Sequence, residues 1–181
     1  LAAQFPGAMN RLEAKKRDSL DAYLSTREPE RFHDYLAICR HLGREQDAVN
    51  QFLSIHAQQP KSAAKLSKFL WEDLILGEHW QVCSELMEQA NLKLEELFAV
   101  FDEANKLKEM DASFNTIKFD QHIVSTLLED LQKVVMVLRY SGRGDEVDAL
   151  ERMFYIAAEQ RNHAELSKQL QAKGSFLFAG H

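Results

Sequence analysis

The chain has 181 residues, 45% hydrophobic and 28% charged, with only 3 Pro and 7 Gly, a balance suited to a folded domain built on long helices. Its net charge of −6 argues against the basic face that nucleic-acid binding requires. No apolar run approaches the roughly 18 residues of a membrane-spanning helix, and no alternating run of β-branched residues signals a strand.

Leu1 stands first rather than Met, as in a fragment, and residues 1–7 read as a loose lead-in without a secretory apolar region. From Ala8 to Leu24 the positions Met9, Leu12, Leu20 and Leu24 share a helical face, and Lys15-Lys16-Arg17, flanked by Glu13 and Asp18, reads as solvated. Thr26 is expected to cap the next helix, with Pro29 in its first turn. That helix, about Glu30 to Leu42, carries Phe32, Tyr35, Leu36 and Cys39 at i, i+3, i+4 and i+7 and ends at Gly43. A third helix, about Glu45 to Ala57, turns Ala48, Phe52 and Ile55 inward and stops before Pro60. A fourth is expected to run unbroken over about 61–76, with Leu66, Phe69, Leu70 and Leu74 in one stripe.

A helical pattern resumes at His79 and runs to about 109, as one long helix or as two with a break near Asn91. Residues 111–116 form a loop. From Phe119 to Tyr140 a broad stripe returns in Ile123, Val124, Leu127, Leu128, Leu131, Val134, Val135 and Leu138. The next helix, about Asp145 to Gln160, is expected to bury Val147, Leu150, Phe154 and Ile156 or Ala157. A last helix spans about His163 to Ala172, closed by Gly174, and the tail Phe176-Leu177-Phe178 is apolar.

Chemistry-bearing patterns are sparse. Cys39 and Cys83 fit no zinc or redox spacing and read as buried thiols of a reducing, cytoplasmic setting, although a disulfide between them stays open. His33, Cys39 and His41 do not converge on one helical face, Glu30 to His33 is a lone E-x-x-H, and Ser141-Gly142-Arg143-Gly144 lacks the preceding strand of a phosphate loop. Adjacent carboxylates such as Glu95-Glu96, Asp102-Glu103 and Glu129-Asp130 diverge by about 100 degrees on a helix and read as solvated faces. No enzyme, cofactor or metal is expected.

The strongest signal is periodic. Gly43, Gly77 and Gly144 share a register: five residues on stand Ala48, Val82 and Ala149, and nine residues on stand Phe52, Leu86 and Met153. The turn at 111 falls one period after Gly77, giving intervals of 34, 34 and 33. Together with Phe32, Tyr35 and Pro60, this pattern resembles the tetratricopeptide repeat. Leu36, Leu70 and Val137 stand where that family often has a small residue, Asp73 where an aromatic is usual, and 97–129 keeps only the period.

The resemblance implies an all-α array of stacked antiparallel helical hairpins in a right-handed superhelix: an N-terminal helix over 1–28, hairpin units at 29–62, 63–96, 97–129 and 130–163, and a C-terminal helix and tail over 164–181. An irregular helical bundle stays open beside it. In that family the outward positions of each first helix bind partners. Here these are His33, Ala37, Arg40 and His41, then Ser67, Lys68, Trp71 and Ile75, a face for a partner's peptide or helix, unless Trp71 packs against the next hairpin. The implied function is an adaptor, scaffold or chaperone-like binder, with a secretion-chaperone relative in the same line. A regulatory sensor with a small apolar ligand among Trp71, Trp80 and Phe101, and homo-oligomerisation through Phe176-Phe178, are the alternatives.

Overall fold

The computed structural model describes residues 6–178, and among these every regular element is helical. The chain falls into two compact units, Leu1–Glu78 and His79–His181.

The first unit holds α1 (Pro6–Thr26), α2 (Pro29–His41), α3 (Glu45–Gln58), α4 (Pro60–Ala64) and α5 (Ser67–Leu76). α1 packs on α2, and α3 packs on α2, α4 and α5. Phe32, Leu36, Phe52, Leu66, Leu70 and Leu74 are fully enclosed. Pro29 at the first helical position moves the α2 cap to Glu28. Thr26 therefore does not cap α2. It ends α1, its hydroxyl donating to Ala22 O at 2.9 Å and accepting from the Glu28 N–H at 3.3 Å. Gly43 takes φ +65, which lets the Arg44 N–H reach back to Cys39 O at 2.9 Å and close α2. The helix expected over 61–76 is broken at Lys65–Leu66, where i→i+3 bonds (Leu66 N–H to Ala63 O, 2.8 Å; Phe69 N–H to Leu66 O, 3.0 Å) tighten the chain.

Two readings of α1 are corrected. Leu24 is exposed, and Tyr23 takes the core position, edge-on to Phe32 at 5.3 Å. Lys16 is only 7% exposed instead of solvated, and its ammonium lies 3.0 Å from Asp47 and 3.3 Å from Glu13. The hydrogen bond from Lys16 holds the Asp47 carboxyl below the usual range despite partial burial.

The second unit holds α6 (Trp80–Met87), α7 (Ala90–Met110), α8 (Ile117–Tyr140), α9 (Val147–Arg161) and α10 (Ala164–Leu177). α8 is the axis: α6, α7, α9 and α10 all pack on it, and all eight residues of its expected stripe are buried. Thr116 caps α8 by accepting from the Phe119 N–H at 3.1 Å. Residues 79–109 make two helices, with the break at Glu88 (φ +55) and Gln89, so that Asn91 lies inside α7. The divisions anticipated after residues 96 and 129 fall inside α7 and α8.

After α8 the left-handed turn falls on Gly142 (φ +84), while Gly144 opens a 3-10 turn into α9. In α9, Val147, Leu150 and Phe154 are buried as expected, but Ala158 completes the stripe and Ile156 is 57% exposed. α10 runs through Gly174 to Leu177. Phe178 packs on Phe154 and Tyr155, with ring centroids 6.1 and 6.2 Å away, and its carbonyl accepts from Arg139. The Phe176 side chain and residues 179–181, on which part of the tail expectation fell, lie outside the described residues.

Candidate functional site: a groove along α7 and α9

The face anticipated in the first unit is partly assembled. Side chains of α2 and α5 meet: the His33 ring lies 4.7 Å from Phe69, and Arg40 donates to Asp73 at 2.7 Å. Lys68 sits 4.8 Å over the Phe69 ring, and the Ser67 hydroxyl donates to Ala64 O at 2.8 Å. Trp71 and Ala37 are half-buried, His41 is exposed, and Ile75, at 8% exposure, belongs to the core rather than to a presented surface. Arg40 is thus committed within the unit. Asp73, noted in the sequence only as a departure from an aromatic, is what holds it.

An extended concavity lies in the second unit, between α7 and α9. Its middle stretch has a volume of about 440 Å³ and an apolar floor of Leu94, Phe98, Met153 and Ile156, with Ala99 and Ala157 as small residues beside them. Toward the start of α9 it continues, through shared Asn91 and Met153, into a stretch of about 260 Å³ reaching Arg143 and Glu146. Toward the end of α9 it continues, through shared Asp102 and Arg161, into a polar stretch of about 490 Å³ bordered by Lys106, Lys108, Glu109 and His163. The groove thus follows most of α7, whose 21 residues make a helix roughly 32 Å long at about 1.5 Å per residue.

Two arginines fix its shape. Arg143 donates to the Ser84 hydroxyl (3.0 Å) and carbonyl (3.3 Å) and to Glu88 O (3.1 Å), closing the carbonyl end of α6, and pairs with Glu146 at 2.6 and 2.8 Å. That pairing raises the Arg143 pKa and lowers that of Glu146. Arg161 grips Asp102 with two bonds of 2.8 and 2.7 Å while its guanidinium lies 4.1 Å from the Phe98 ring centroid. Lys106 is held by Glu103 at 2.7 Å and Lys108 by Asp120 at 2.5 Å. Each lining cation is therefore neutralised by a carboxylate, whereas Glu88, Glu95 and Glu109 have no ion-pair partner among the described residues.

His163 closes the polar end. Its Nδ1 accepts from the Leu166 N–H at 3.3 Å, capping α10, and its Nε2 lies 3.8 Å from Asp120. Burial, with the nearby Lys108 charge, lowers its pKa. On the opposite side of α7, Leu97, Val100, Ala104 and Leu107 face Phe119 and Ile123 of α8 across a smaller apolar hollow of about 220 Å³. Phe101 lies in that hollow, while Trp80 stacks on Tyr140 at 5.1 Å.

Among the described residues no group of three or more His, Cys, Asp or Glu is placed to hold a metal ion, and no helix is long and apolar enough to cross a membrane. Sequence reasoning put Met153 in the repeat register, Ile156 in the core and Glu95 and Asp102 on solvated faces, and gave none of them a binding role. The signal it could have used is Ile156, which the helical phase of Val147, Leu150 and Phe154 puts off the buried face. Comparison of the chain with protein-family models, with curated proteins and with solved structures finds no match.

Proposed function

We propose that the chain is a protein-interaction module, an adaptor, scaffold or chaperone-like binder, whose working surface is the α7–α9 groove. One observation carries this reading. The groove follows α7, apolar through its middle and toward the start of α9 and polar at the His163 end, and exposed Met153 and Ile156 sit where an amphipathic helix of a partner would lay its apolar face. Ala99 and Ala157 allow a partner backbone to come close. Cys39 and Cys83, both free and buried, have thiol pKa values raised by burial, Cys83 to about 12, which suits a reducing, cytoplasmic setting.

The tetratricopeptide-like arrangement is part of this proposal for the hairpin unit at residues 29–62. It is supported by the Gly43 turn and by Ala48 and Phe52, both fully buried at the close-packing positions of α3. In the last register Ala149 and Met153 are exposed and line the groove instead.

The test is a photo-crosslinking residue placed at Ala99 or at Ile156 in cells. A single polypeptide captured from both positions, lost with Met153→Asp and kept with Lys68→Ala/Trp71→Ala, supports the groove. Capture that depends on Lys68 and Trp71 but not on Met153 moves the binding face to α2 and α5. No shared adduct at Ala99 and Ile156 sinks the proposal.

A further inference from the structure

Along the wall formed by α7, carboxylates recur every seven residues at Glu95, Asp102 and Glu109, and Glu88 stands at the break just before the helix. Seven residues are nearly two helical turns, so such a series stays close to one face and drifts only about 20° per step. Glu88, Glu95, Asp102 and Glu109 all border the groove. Asp102 is already matched by Arg161, whose guanidinium takes both carboxylate oxygens while stacking on Phe98. The other three have no ion-pair partner among the described residues, and the groove's own cations are each bound to an acid. The wider field has the same sign. Residues 1–78 hold eleven Asp and Glu and eleven Lys and Arg, so the net charge of −6 falls wholly on 79–181.

The geometry points to a basic amphipathic helix of a partner protein as the occupant of this groove, with Arg or Lys at heptad spacing opposite Glu95 and Glu109, a further one near Glu88, and an apolar face on Met153 and Ile156. The inference rests on the groove being a docking surface and adds the chemistry of what docks. Arg161 on Asp102 is the internal pattern for each outer contact: a planar fork on a carboxylate beside an apolar floor. A second copy of this chain is disfavoured as occupant, because it would bring the same negative charge to the groove, and an anionic membrane or a nucleic acid would meet the same repulsion.

The test uses the full chain and three synthetic helical peptides with Leu at the a and d positions of each heptad and Arg, Gln or Glu at one further position per heptad. Binding is read by fluorescence anisotropy at low and high salt. The Arg peptide is expected to bind about tenfold tighter than the Gln peptide at low salt, since exposed charge pairs add modestly each and sum over several sites. The advantage should shrink at high salt. Glu95→Arg, at an exposed position, should weaken the Arg peptide and strengthen the Glu peptide. Equal binding of the Arg and Gln peptides, or an Arg preference unmoved by Glu95→Arg, overturns this inference and leaves the groove standing, provided Ile156→Asp still abolishes binding. No binding by any of the three peptides overturns both.

Discussion

In the first unit the acidic and basic side chains balance, and the best-placed pairs join different helices: Lys16 of α1 to Asp47 of α3, Arg40 of α2 to Asp73 of α5, and Arg44, beside α3, to Glu13 of α1. The second unit carries the whole excess of negative charge, leaves Glu88, Glu95 and Glu109 without an ion-pair partner among the described residues although Lys106 lies in the field of Glu109, and exposes Met153 and Ile156. Charge in the first unit is arranged to close the fold. Charge in the second also joins helices, Arg161 to Asp102 and Lys108 to Asp120, but its excess lies around an opening. Unmatched carboxylates beside exposed apolar side chains contribute little to folding and gain value when a complementary surface covers them, so the binding reading belongs to the second unit.

The difference can be broken at the core first. Phe52 and Leu131 are fully buried, one in each unit. Phe52→Ala should cost about 3–5 kcal/mol and Leu131→Ala about 2–5 kcal/mol. Amide hydrogen exchange should show faster opening of α2–α5 for the first and of α8 for the second. Uniform opening of both units by either variant would mean that they do not unfold separately. A step down in size, Lys16→Met should cost about 1–2 kcal/mol, because Asp47 and Glu13 lose a charged donor but stay partly solvated. The same exchange experiment places that loss in α1–α3. A neutral result would show that the ion pairs of the first unit do not close its fold.

What the sequence made legible follows from how strongly each feature is over-determined. The α8 stripe was read at eight of its nine buried positions, all but Val137, because so many buried positions in 24 residues leave one helical phase. The turns were read by place but not by residue. Gly43 takes the positive φ expected of it, Gly77 sits at φ −84 and leaves the positive φ to Glu78, and after α8 Gly142 takes that role rather than Gly144. Glycine permits the left-handed conformation without requiring it, so glycine spacing alone places a register poorly. The candidate site was least legible, because its features are relational. Lys16 reads as solvated until Asp47 of α3 is set beside it, and Arg40 reads as available until Asp73 is. The groove is lined from α7 and α9 together, with Met153 and Ile156 of one facing Leu94 and Phe98 of the other across it, a property of two helices that neither helix's periodicity contains.

The smaller effects sharpen the same contrast. His163 caps α10 through an unprotonated Nδ1, and it faces Lys108 of α7, Asp120 of α8 and Glu165 of its own helix. Its folded-state pKa lies below the ordinary 6.5, so the unfolded chain binds the proton more readily. The contribution of the cap is then complete above pH 6.5 and is lost as the pH falls through 6.5 toward the folded value. Melting curves from pH 7.5 to 5.5 should show the second unit losing about 1 kcal/mol, and His163→Asn, which caps without titrating, should flatten that dependence. A wild-type profile with no slope in this window would mean that the cap contributes nothing.

The smallest expected effect is the most discriminating. Ile156 is 57% exposed, so Ile156→Asp removes little buried area and should leave stability within about 0.5 kcal/mol. The same change puts a carboxylate on the apolar floor beside an already acidic wall, where it should repel a basic helix and wet the surface that an apolar face needs. A variant that melts like the wild type yet no longer binds separates folding from function at one residue. If Ile156→Asp instead destabilises the second unit by several kcal/mol, the residue is part of the core, the groove is closed in solution, and the second unit handles its surface as the first does.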